Sequence, residues 1–289
     1  MIKEIRAKVM LSRVKQPDTW FGLRYSMNLY RGCQHQCIYC DSRSLCYQIE
    51  DFSDILVKVN ALELLERELA SKRVKGTIGT GGMNDPYMPL EAEINLTGRA
   101  LELMLRHRFP VHITTKSDLV LRDIDTIKAI SEIYAAVSFT ITTADDALAR
   151  KLEPGAPPPS SRLQAMSNLA NEGIYTGITL MPVLPFIEDN EANITDIVEL
   201  ARDSGASYII PSFGMSLSDR QRAYYYDKLD IHFPGLRSKY EERFGEQYHC
   251  PASNAEALEK VFIELCNRYG IDTRMKTHSP DEAEQLALL

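Results

Sequence analysis

The stretch YSMNLYRGCQHQCIYC, residues 25–40, joins a predicted β-strand to a loop that carries three cysteines. The strand, residues 25–30, is apolar and aromatic, and Cys33, Cys37 and Cys40 follow it with the spacing C-x3-C-x2-C. Three thiolates on one short loop can wrap an iron–sulfur cubane, each binding one iron. The fourth iron then lacks a cysteine and stays open to a small molecule, so the spacing favours an open cluster.

A zinc loop is the alternative for the same three cysteines, and a coincidence of buried thiols is another. A structural zinc site requires four ligands, and no second CxxC follows downstream. Cys46, Cys250 and Cys266 complete the six cysteines, and no chelating pair among them indicates a second cluster. Cys266 lies on the apolar side of a predicted helix with Leu258 and Phe262, which is the position of a small buried side chain.

Five further β-rich segments follow residues 25–30, and a helical pattern fits between successive strands. The strands are predicted at residues 76–80, 111–116, 136–141, 175–181 and 207–211. Ser53 and Thr97 are predicted to cap the first two helices. Six βα units in series indicate an α/β fold with a parallel sheet, which curls toward a barrel or winds in both directions. The five amphipathic helices are predicted from Ile55, Val59, Leu62, Leu65 and Leu69; Leu101, Met104 and Leu105; Ile124, Ile127 and Ile130; Leu163, Met166 and Leu169; and Ile194, Ile197, Val198 and Ala201.

Composition and charge exclude several classes of protein. The chain has 289 residues, of which 44% are hydrophobic and 25% charged, and this is too apolar for a disordered chain. No apolar run approaches the ~18 residues of a membrane helix, and the charged N-terminus lacks a signal-peptide core, so we expect a cytoplasmic protein that does not contact a membrane. The net charge of −7 argues against a sequence-blind nucleic-acid coat protein, although residues 1–50 carry eight Lys or Arg against four Asp or Glu.

Residues 31–40, RGCQHQCIYC, resemble the signature of the radical S-adenosylmethionine (SAM) superfamily, and residues 28–44 resemble more narrowly its branch related to spore photoproduct lyase. The resemblance covers most of residues 25–215 and implies a partial (β/α)6 TIM-like barrel. It also implies one [4Fe-4S] cluster on the three cysteines, whose open iron binds SAM. One electron then cleaves SAM to methionine and a 5′-deoxyadenosyl radical, which abstracts hydrogen from a substrate. We therefore expect an N-terminal extension at 1–24, a radical SAM core at 25–215 and a mostly helical C-terminal region at 216–289.

The resemblance assigns several residues to a SAM site beside the cluster. Gly81, Gly82 and Met83, directly after the second strand, resemble the glycine-rich segment that receives the methionine amino group of SAM. Tyr39, inside the cysteine motif, is expected to lie against the adenine ring. A plain βα turn and a loop aromatic packed on the barrel are the alternatives for these two positions.

Lys116, Ser138 and Arg162 are assigned by the same resemblance. A lysine and a serine at comparable strand ends contact SAM in this branch, and a lysine in a barrel mouth suits the SAM carboxylate. The alternatives are a solvated lysine at the rim and a buried serine bonded to backbone. Arg162 can bind the SAM carboxylate with two hydrogen bonds, or it can pair with Glu153 as a structural bridge, which we favour slightly.

The segment from Gly81 to Asp85 separates this chain from spore photoproduct lyase itself. In that enzyme a cysteine shortly after the second strand returns a hydrogen atom to the product radical, and Gly82 falls at that place here. Glycine has no abstractable S–H. The resemblance therefore predicts a related enzyme that lacks the thiol donor, with Tyr87 or Cys46 as candidate replacements.

The sequence leaves the substrate open. The branch resemblance and the positive N-terminal segment suggest a nucleic acid or nucleotide, and a peptide or small metabolite is the alternative among enzymes. A third hypothesis is an iron–sulfur carrier or sensor without radical chemistry, although six βα units exceed what a carrier needs. We expect a reducing partner such as flavodoxin or ferredoxin, and we expect the chain to be a monomer.

Overall fold

The computed structural model describes residues 1–15 and 19–279 as an α/β structure built on one large sheet. In these residues, 3-10 helices span Asp41–Arg43, Leu45–Tyr47 and Asp118–Asp123. The strands are β1 (Ile2–Ile5), β2 (Leu11–Arg13), β3 (Tyr25–Met27), β4 (Tyr30–Arg31), β5 (Ile55–Lys58), β6 (Ile78–Thr80), β7 (Val111–Thr115), β8 (Ala135–Thr140), β9 (Tyr175–Leu180), β10 (Tyr208–Pro211), β11 (Gly214–Ser216) and β12 (His249–Pro251). The helices are α1 (Ala61–Ser71), α2 (Glu91–Ile94), α3 (Leu96–Arg106), α4 (Ile124–Ser131), α5 (Asp146–Leu152), α6 (Pro159–Asn171), α7 (Glu191–Asp203), α8 (Asp219–His232), α9 (Leu236–Phe244) and α10 (Ala255–Tyr269).

Six parallel strands form the frame of a partial barrel. The main sheet has the order β10–β9–β8–β7–β6–β3–β2, in which the neighbours from β3 to β10 run parallel and β2 runs antiparallel to β3 at the edge. The chain order matches the spatial order over the six parallel strands, as in a (β/α)6 barrel. The six predicted strand positions are confirmed, although the segment 25–30 divides into β3 and β4.

Helices α1, α3, α4, α6 and α7 separate successive strands, and each contains a predicted apolar pattern. The first helix, however, was predicted to begin at Ile55 with Ser53 as its cap, and this start is wrong. Strand β5 occupies that position and α1 begins at Ala61. Because β5 pairs with β1 and β4 and buries Ile55 and Val57 alternately, the two-residue period of a strand prevails there over the helical spacing.

Thr97, the second predicted cap, lies inside the first turn of α3. Asn95 precedes the helix instead. The Thr97 hydroxyl donates to the carbonyl oxygen of Pro86 at 2.7 Å, and its backbone N–H donates to Glu91 Oε1 at 2.9 Å. The threonine therefore ties the start of α3 to the loop that follows β6.

The described segments before and after the core, residues 1–15, 19–24 and 216–279, contribute strands to the fold. Residues 1–24 supply β1, which pairs with β5, and β2, at the edge of the main sheet. The C-terminal region is mostly helical, as predicted, but it also supplies β12, which pairs with β11. Residues 280–289 of that region lie outside the described residues, and the predicted divisions at 24 and 215 stay predictions.

Apolar side chains between the sheet and its helices form the main core. Cys266 is buried in it with Leu258 and Phe262, as the helical spacing predicts, whereas Cys46 is exposed. Among the described helices, none combines the length and the apolar character that crossing a bilayer requires.

Candidate active site

A cavity of about 450 Å³ opens where the parallel strands end. The cysteine loop after β4, the glycine-rich turn after β6, the ends of β7, β8 and β9, and the ribbon formed by β11 and β12 line it. This volume is typical of a small-molecule site. Ser138 and Arg162 are predicted site residues that do not line the cavity. The other eight do so together: Cys33, Cys37, Tyr39, Cys40, Gly81, Gly82, Met83 and Lys116.

The cysteine loop is fixed by the segment that follows β8. Ile38 N donates to the carbonyl oxygen of Leu152 at 2.8 Å, and Gly155 N donates to that of His35 at 3.0 Å. A side chain at Gly155 would collide with the carbonyl oxygen of Gln34, so only glycine permits this close approach. Residues 152–155, which follow β8 in the chain, therefore support the three-cysteine loop through two backbone hydrogen bonds.

The donor set of this loop fits an iron–sulfur cubane. Among the described residues, no three His, Cys, Asp or Glu side chains converge on a position for a single metal ion. A cubane takes each thiolate on a separate iron, whereas a structural zinc site needs four ligands, so three cysteines on one loop fit a cluster. All three thiols are free, and Cys33 and Cys37 are buried.

The thiols of the loop have raised pKa values. Burial raises the pKa of Cys33 to about 12, and it raises the pKa values of Cys37 and Cys40 as well. The positive charge of Lys116 acts in the opposite direction on Cys37 and Cys40. A bound metal deprotonates a coordinating thiol outright, so these raised values describe the site before it is loaded.

The turn after β6 presents backbone to the cavity. Gly81 has φ = +99°, and a side chain there would collide with the carbonyl oxygen of Thr114, so the chain needs glycine at this position. Gly82 differs, because nothing lies within 4 Å of the place where its Cβ would be. Met83 N donates to Asn28 Oδ1 at 3.3 Å, which ties the turn to the segment that follows β3.

Asp85 organises this end of the barrel through its carboxylate. Its carboxylate accepts hydrogen bonds from Tyr87 N at 2.8 Å, Thr115 Oγ1 at 2.7 Å and Lys116 N at 2.6 Å. It also lies 3.3 Å from Nδ1 of the buried His35. Burial alone would raise the pKa of Asp85, but His35 and these hydrogen bonds outweigh burial and lower it to about 2. The carboxylate thus stays ionised while it positions Lys116.

Glu153 links three of the predicted SAM-site residues. Its buried carboxylate accepts a hydrogen bond from the Tyr39 hydroxyl and lies 3.9 Å from Lys116 Nζ. The ammonium of Lys116 lies 5.7 Å from the centre of the Tyr39 ring. Because a hydrogen bond fixes Tyr39 while it lines the cavity, its ring can form a flat wall for an adenine.

Arg162 is a structural bridge rather than a residue of the cavity wall. Its Nη2 lies 2.5 Å from Glu153 Oε2, and both side chains are almost fully buried. The remaining donors bond to the carbonyl oxygens of Pro157 and Thr140, each at 2.8 Å. The guanidinium therefore has its partners within the protein, which agrees with the bridge alternative predicted from the sequence.

Ser138 lies beneath the cavity rather than at its surface. It is fully buried in β8, and its hydroxyl lies 2.8 Å from His112 Nε2 and 2.7 Å from the Tyr208 hydroxyl. Thr140, two residues further along β8, lines the cavity and bonds to Thr179 at 2.9 Å. The arrangement does not favour the predicted contact between Ser138 and SAM.

The ribbon of β11 and β12 forms a wall that the sequence did not predict. Met215, Ser216 and His249 line the cavity from this ribbon, and His249 pairs with Ser216.

The two residues predicted as replacement hydrogen donors do not line the cavity. Tyr87 is fully buried and its hydroxyl donates to Asp123 at 3.0 Å, while Cys46 is exposed outside the cavity lining.

The fold and this loop identify the class of protein. The model of the Radical SAM superfamily matches residues 27–201, which is more than half of the chain, so the chain belongs to that superfamily. Membership implies a [4Fe-4S] cluster and SAM, and the cysteine loop and cavity fit both.

Particular relatives and solved structures show which proteins the chain is similar to within and beyond its sequence family. A structure of spore photoproduct lyase complexed with dinucleoside spore photoproduct matches with a TM-score of 0.71 at 15% identity, covering 94% of this chain and 81% of the lyase. An uncharacterized protein of Mycobacterium tuberculosis is 27% identical over 275 residues, which is 92% of this chain and 80% of that protein. A radical SAM Nalpha-GlyT isomerase of Pseudomonas phage M6 is 25% identical over 181 residues, which is 63% of this chain and 37% of the isomerase.

Proposed function

We propose that this chain is a radical SAM enzyme that holds one [4Fe-4S] cluster on Cys33, Cys37 and Cys40 and acts on a nucleoside or nucleotide, free or within a nucleic acid. One observation carries the proposal: the three cysteines, the glycine-rich turn and Lys116 line a single cavity in a chain of this superfamily. A [4Fe-4S] cluster held by Cys33, Cys37 and Cys40 would supply the electron for reductive cleavage of SAM to methionine and a 5′-deoxyadenosyl radical, which would take a hydrogen atom from the substrate. A flavodoxin or ferredoxin is the proposed source of that electron.

The residues of the chain orient the cofactor. The ammonium of Lys116 makes only a long contact of 3.9 Å with Glu153, and its N–H donors suit the carboxylate of SAM. The backbone of Gly81 and Gly82 can approach the methionine end closely. Tyr39 is proposed to pack against the adenine.

The substrate class rests on the relatives rather than on surface charge. The match to spore photoproduct lyase, a protein bound to a dinucleoside in that structure, spans nearly the whole chain and supports a nucleoside-sized target. The positive N-terminal segment gives little support, because Arg43 is buried and Lys3 pairs with Asp54. The dinucleoside in the lyase structure and the buried or paired cations of the N-terminal segment both favour a substrate held mainly in the cavity. Neither favours a long duplex held by a basic surface.

The hydrogen donor of spore photoproduct lyase is proposed to be missing here. Gly82 stands where the resemblance places the donor thiol. The only phenol that lines the cavity within the described residues belongs to Tyr39, whose hydroxyl is bonded to Glu153. We therefore propose that this enzyme performs a reaction other than clean conversion of the thymine photoproduct to two thymines.

The first experiment separates an enzyme from an iron–sulfur carrier. Reconstituted protein is mixed anaerobically with dithionite and SAM, and 5′-deoxyadenosine is measured, with Cys37→Ala as the control. We expect 5′-deoxyadenosine from the wild-type protein only. An intact cluster that yields none would favour a carrier or sensor.

The second experiment tests the substrate class by following deuterium. Perdeuterated thymidine dinucleotides and perdeuterated peptides are supplied in separate reactions, and the 5′-deoxyadenosine is analysed by mass spectrometry. Deuterium that arrives from the dinucleotide alone would support the proposal. Deuterium that arrives from the peptides alone would overturn the substrate class and leave the radical chemistry intact.

A further inference from the structure

Arg43 is a buried cation three residues beyond the last cysteine of the loop. It ends the 3-10 helix Asp41–Arg43, and only 7% of its surface is exposed. Its guanidinium carbon lies 3.6 Å from the centre of the Tyr224 ring, and 4.5 Å from that of Phe52. Two aromatic rings therefore contact the guanidinium and remove it from water.

The guanidinium has few polar partners, and none of them is a carboxylate. Nη2 donates to Gln36 Oε1 at 2.8 Å, and Nε has no hydrogen-bond partner. Within the described residues Arg43 forms no ion pair, whereas the shielded guanidinium groups of Arg122 and Arg162 both pair with carboxylates. A buried charge without a counter-charge is costly, so its position calls for an anion that the protein alone does not supply.

The contacts of Arg43 lead to the cysteine loop. Gln36, which accepts from Arg43, donates through Nε2 to the carbonyl oxygen of Cys33 at 2.6 Å. Phe52 packs with Cys33 in one apolar cluster that Cys40 also contacts. Burial lowers the pKa of the Arg43 guanidinium.

We infer that Arg43 balances the negative charge of the cluster and makes the cluster easier to reduce. The inference rests on the proposed function, because it takes the three cysteines as cluster ligands. Reduction adds one negative charge to the cluster, and a fixed cation in a medium of low dielectric stabilises the reduced form more than the oxidised form. Arg43 is thus a positioning residue that acts through the cluster and does not contact the reacting atoms.

A structural role is the competing explanation, since Tyr224 belongs to α8 and Arg43 joins that helix to the cysteine loop. Arg220, also on α8, already makes this connection by donating to the carbonyl oxygens of Arg43 at 2.5 Å and Glu50 at 3.1 Å, and to that of Ile49. Arg220→Gln is therefore a matched control: it weakens the same connection but leaves the stacked guanidinium in place.

The test is a redox titration of the reconstituted protein without SAM, followed by electron paramagnetic resonance. Arg43→Gln should shift the equilibrium about tenfold toward the oxidised cluster, which is a fall of about 59 mV for one electron, at unchanged iron and sulfide content. Arg220→Gln should change the equilibrium less than about threefold, because it leaves the guanidinium of Arg43 stacked on Tyr224 and Phe52. Arg43→Lys keeps a cation at this position and should lower the potential less than Arg43→Gln does.

The outcomes separate this inference from the proposed function. A wild-type protein that binds no iron would overturn the proposed function itself. Arg43→Gln that loads fully and titrates like the wild type would overturn the role of Arg43, and so would an equal fall in Arg220→Gln. If Arg43→Gln loses the cluster, the cluster content of Arg43→Lys decides. A cluster that is retained in Arg43→Lys would support a role for the positive charge. A cluster that is lost in both variants would overturn that role and indicate that the shape of the guanidinium matters instead.

Discussion

Glu153→Gln is expected to destabilise the cluster-free protein by about 3–5 kcal/mol. The carboxylate of Glu153 is 2% exposed and the guanidinium of Arg162 is 1% exposed, so neither charge is hydrated in the folded state. Glutamine keeps the shape and can still accept from Tyr39, but it removes the negative charge that lies 2.5 Å from Arg162 Nη2. The cost is that of an uncompensated buried cation, because Arg162 keeps only its bonds to the carbonyl oxygens of Pro157 and Thr140.

Urea unfolding of the reduced, cluster-free protein at neutral pH is the assay, and the slopes of the two proteins must agree before their free energies are compared. The matched control is Glu241→Gln, which breaks an exposed pair with Arg237 at 2.9 Å. Its effect should be far smaller, because water and salt screen exposed pairs. A free-energy loss for Glu153→Gln below about 1 kcal/mol, or one equal to that of Glu241→Gln, would refute the reasoning.

The same pair predicts a dependence on pH. Burial alone would raise the pKa of Glu153, but the charges of Arg162 and Lys116 and the hydrogen bond from Tyr39 outweigh it, so the pKa lies below its usual value. A carboxyl with a lowered pKa contributes stability that is complete above the unfolded pKa, about 4.3, and is lost as the pH falls through the folded value. The difference in stability between wild type and Glu153→Gln should therefore shrink below about pH 4.3, and a constant difference would contradict the assignment.

Three further predictions test the site. Cys37→Ala should remove most of the iron–sulfur absorbance after reconstitution, because each thiolate binds one iron, whereas Cys266→Ala should keep it; equal cluster content in both would contradict the assignment. Lys116→Ala should weaken SAM binding about ten- to a hundredfold in anaerobic calorimetry, whereas Ser138→Ala should leave it unchanged, and the reverse order would contradict the geometry. Gly82→Cys should give a thiol that iodoacetamide alkylates readily and that SAM protects, as peptide mass spectrometry would report; an unreactive thiol would mean that Gly82 does not face open space.

The parallel strands and the cluster motif could be predicted because their signals are local. Each strand from β6 to β10 is a short apolar run bounded by glycine, proline or polar residues, and ten consecutive residues contain all three cysteines. The loop needs no distant residue to carry its ligands. What the sequence did not reveal is how the loop is supported, because the contact of Gly155 with His35 joins segments far apart in the chain.

Two errors of the sequence reading come from pairings that only the folded chain supplies. The residues of β5 fit a helical stripe as well as a strand, and the pairing with β1 and β4 decides between them. The ribbon of β11 and β12 could not be predicted for the same reason, since His249 joins the cavity wall only by pairing with Ser216. When a short segment fits both the helical and the strand period, its pairing with distant segments decides which structure it adopts.

The depth of a side chain along its strand decides which polar residues can reach SAM. Residues that point into a barrel lie in layers two positions apart, about 6.6 Å along a strand. Lys116 lies one residue beyond the end of β7, whereas Ser138 lies two residues before the end of β8, so the sequence placed both at strand ends although they occupy different layers. In the deeper layer Ser138 is bonded to His112 and Tyr208, and Thr140 lies between it and the cavity mouth. A residue therefore needs both the inward direction and the outermost layer to contact the cofactor, and Lys116 meets both conditions where Ser138 meets only the first.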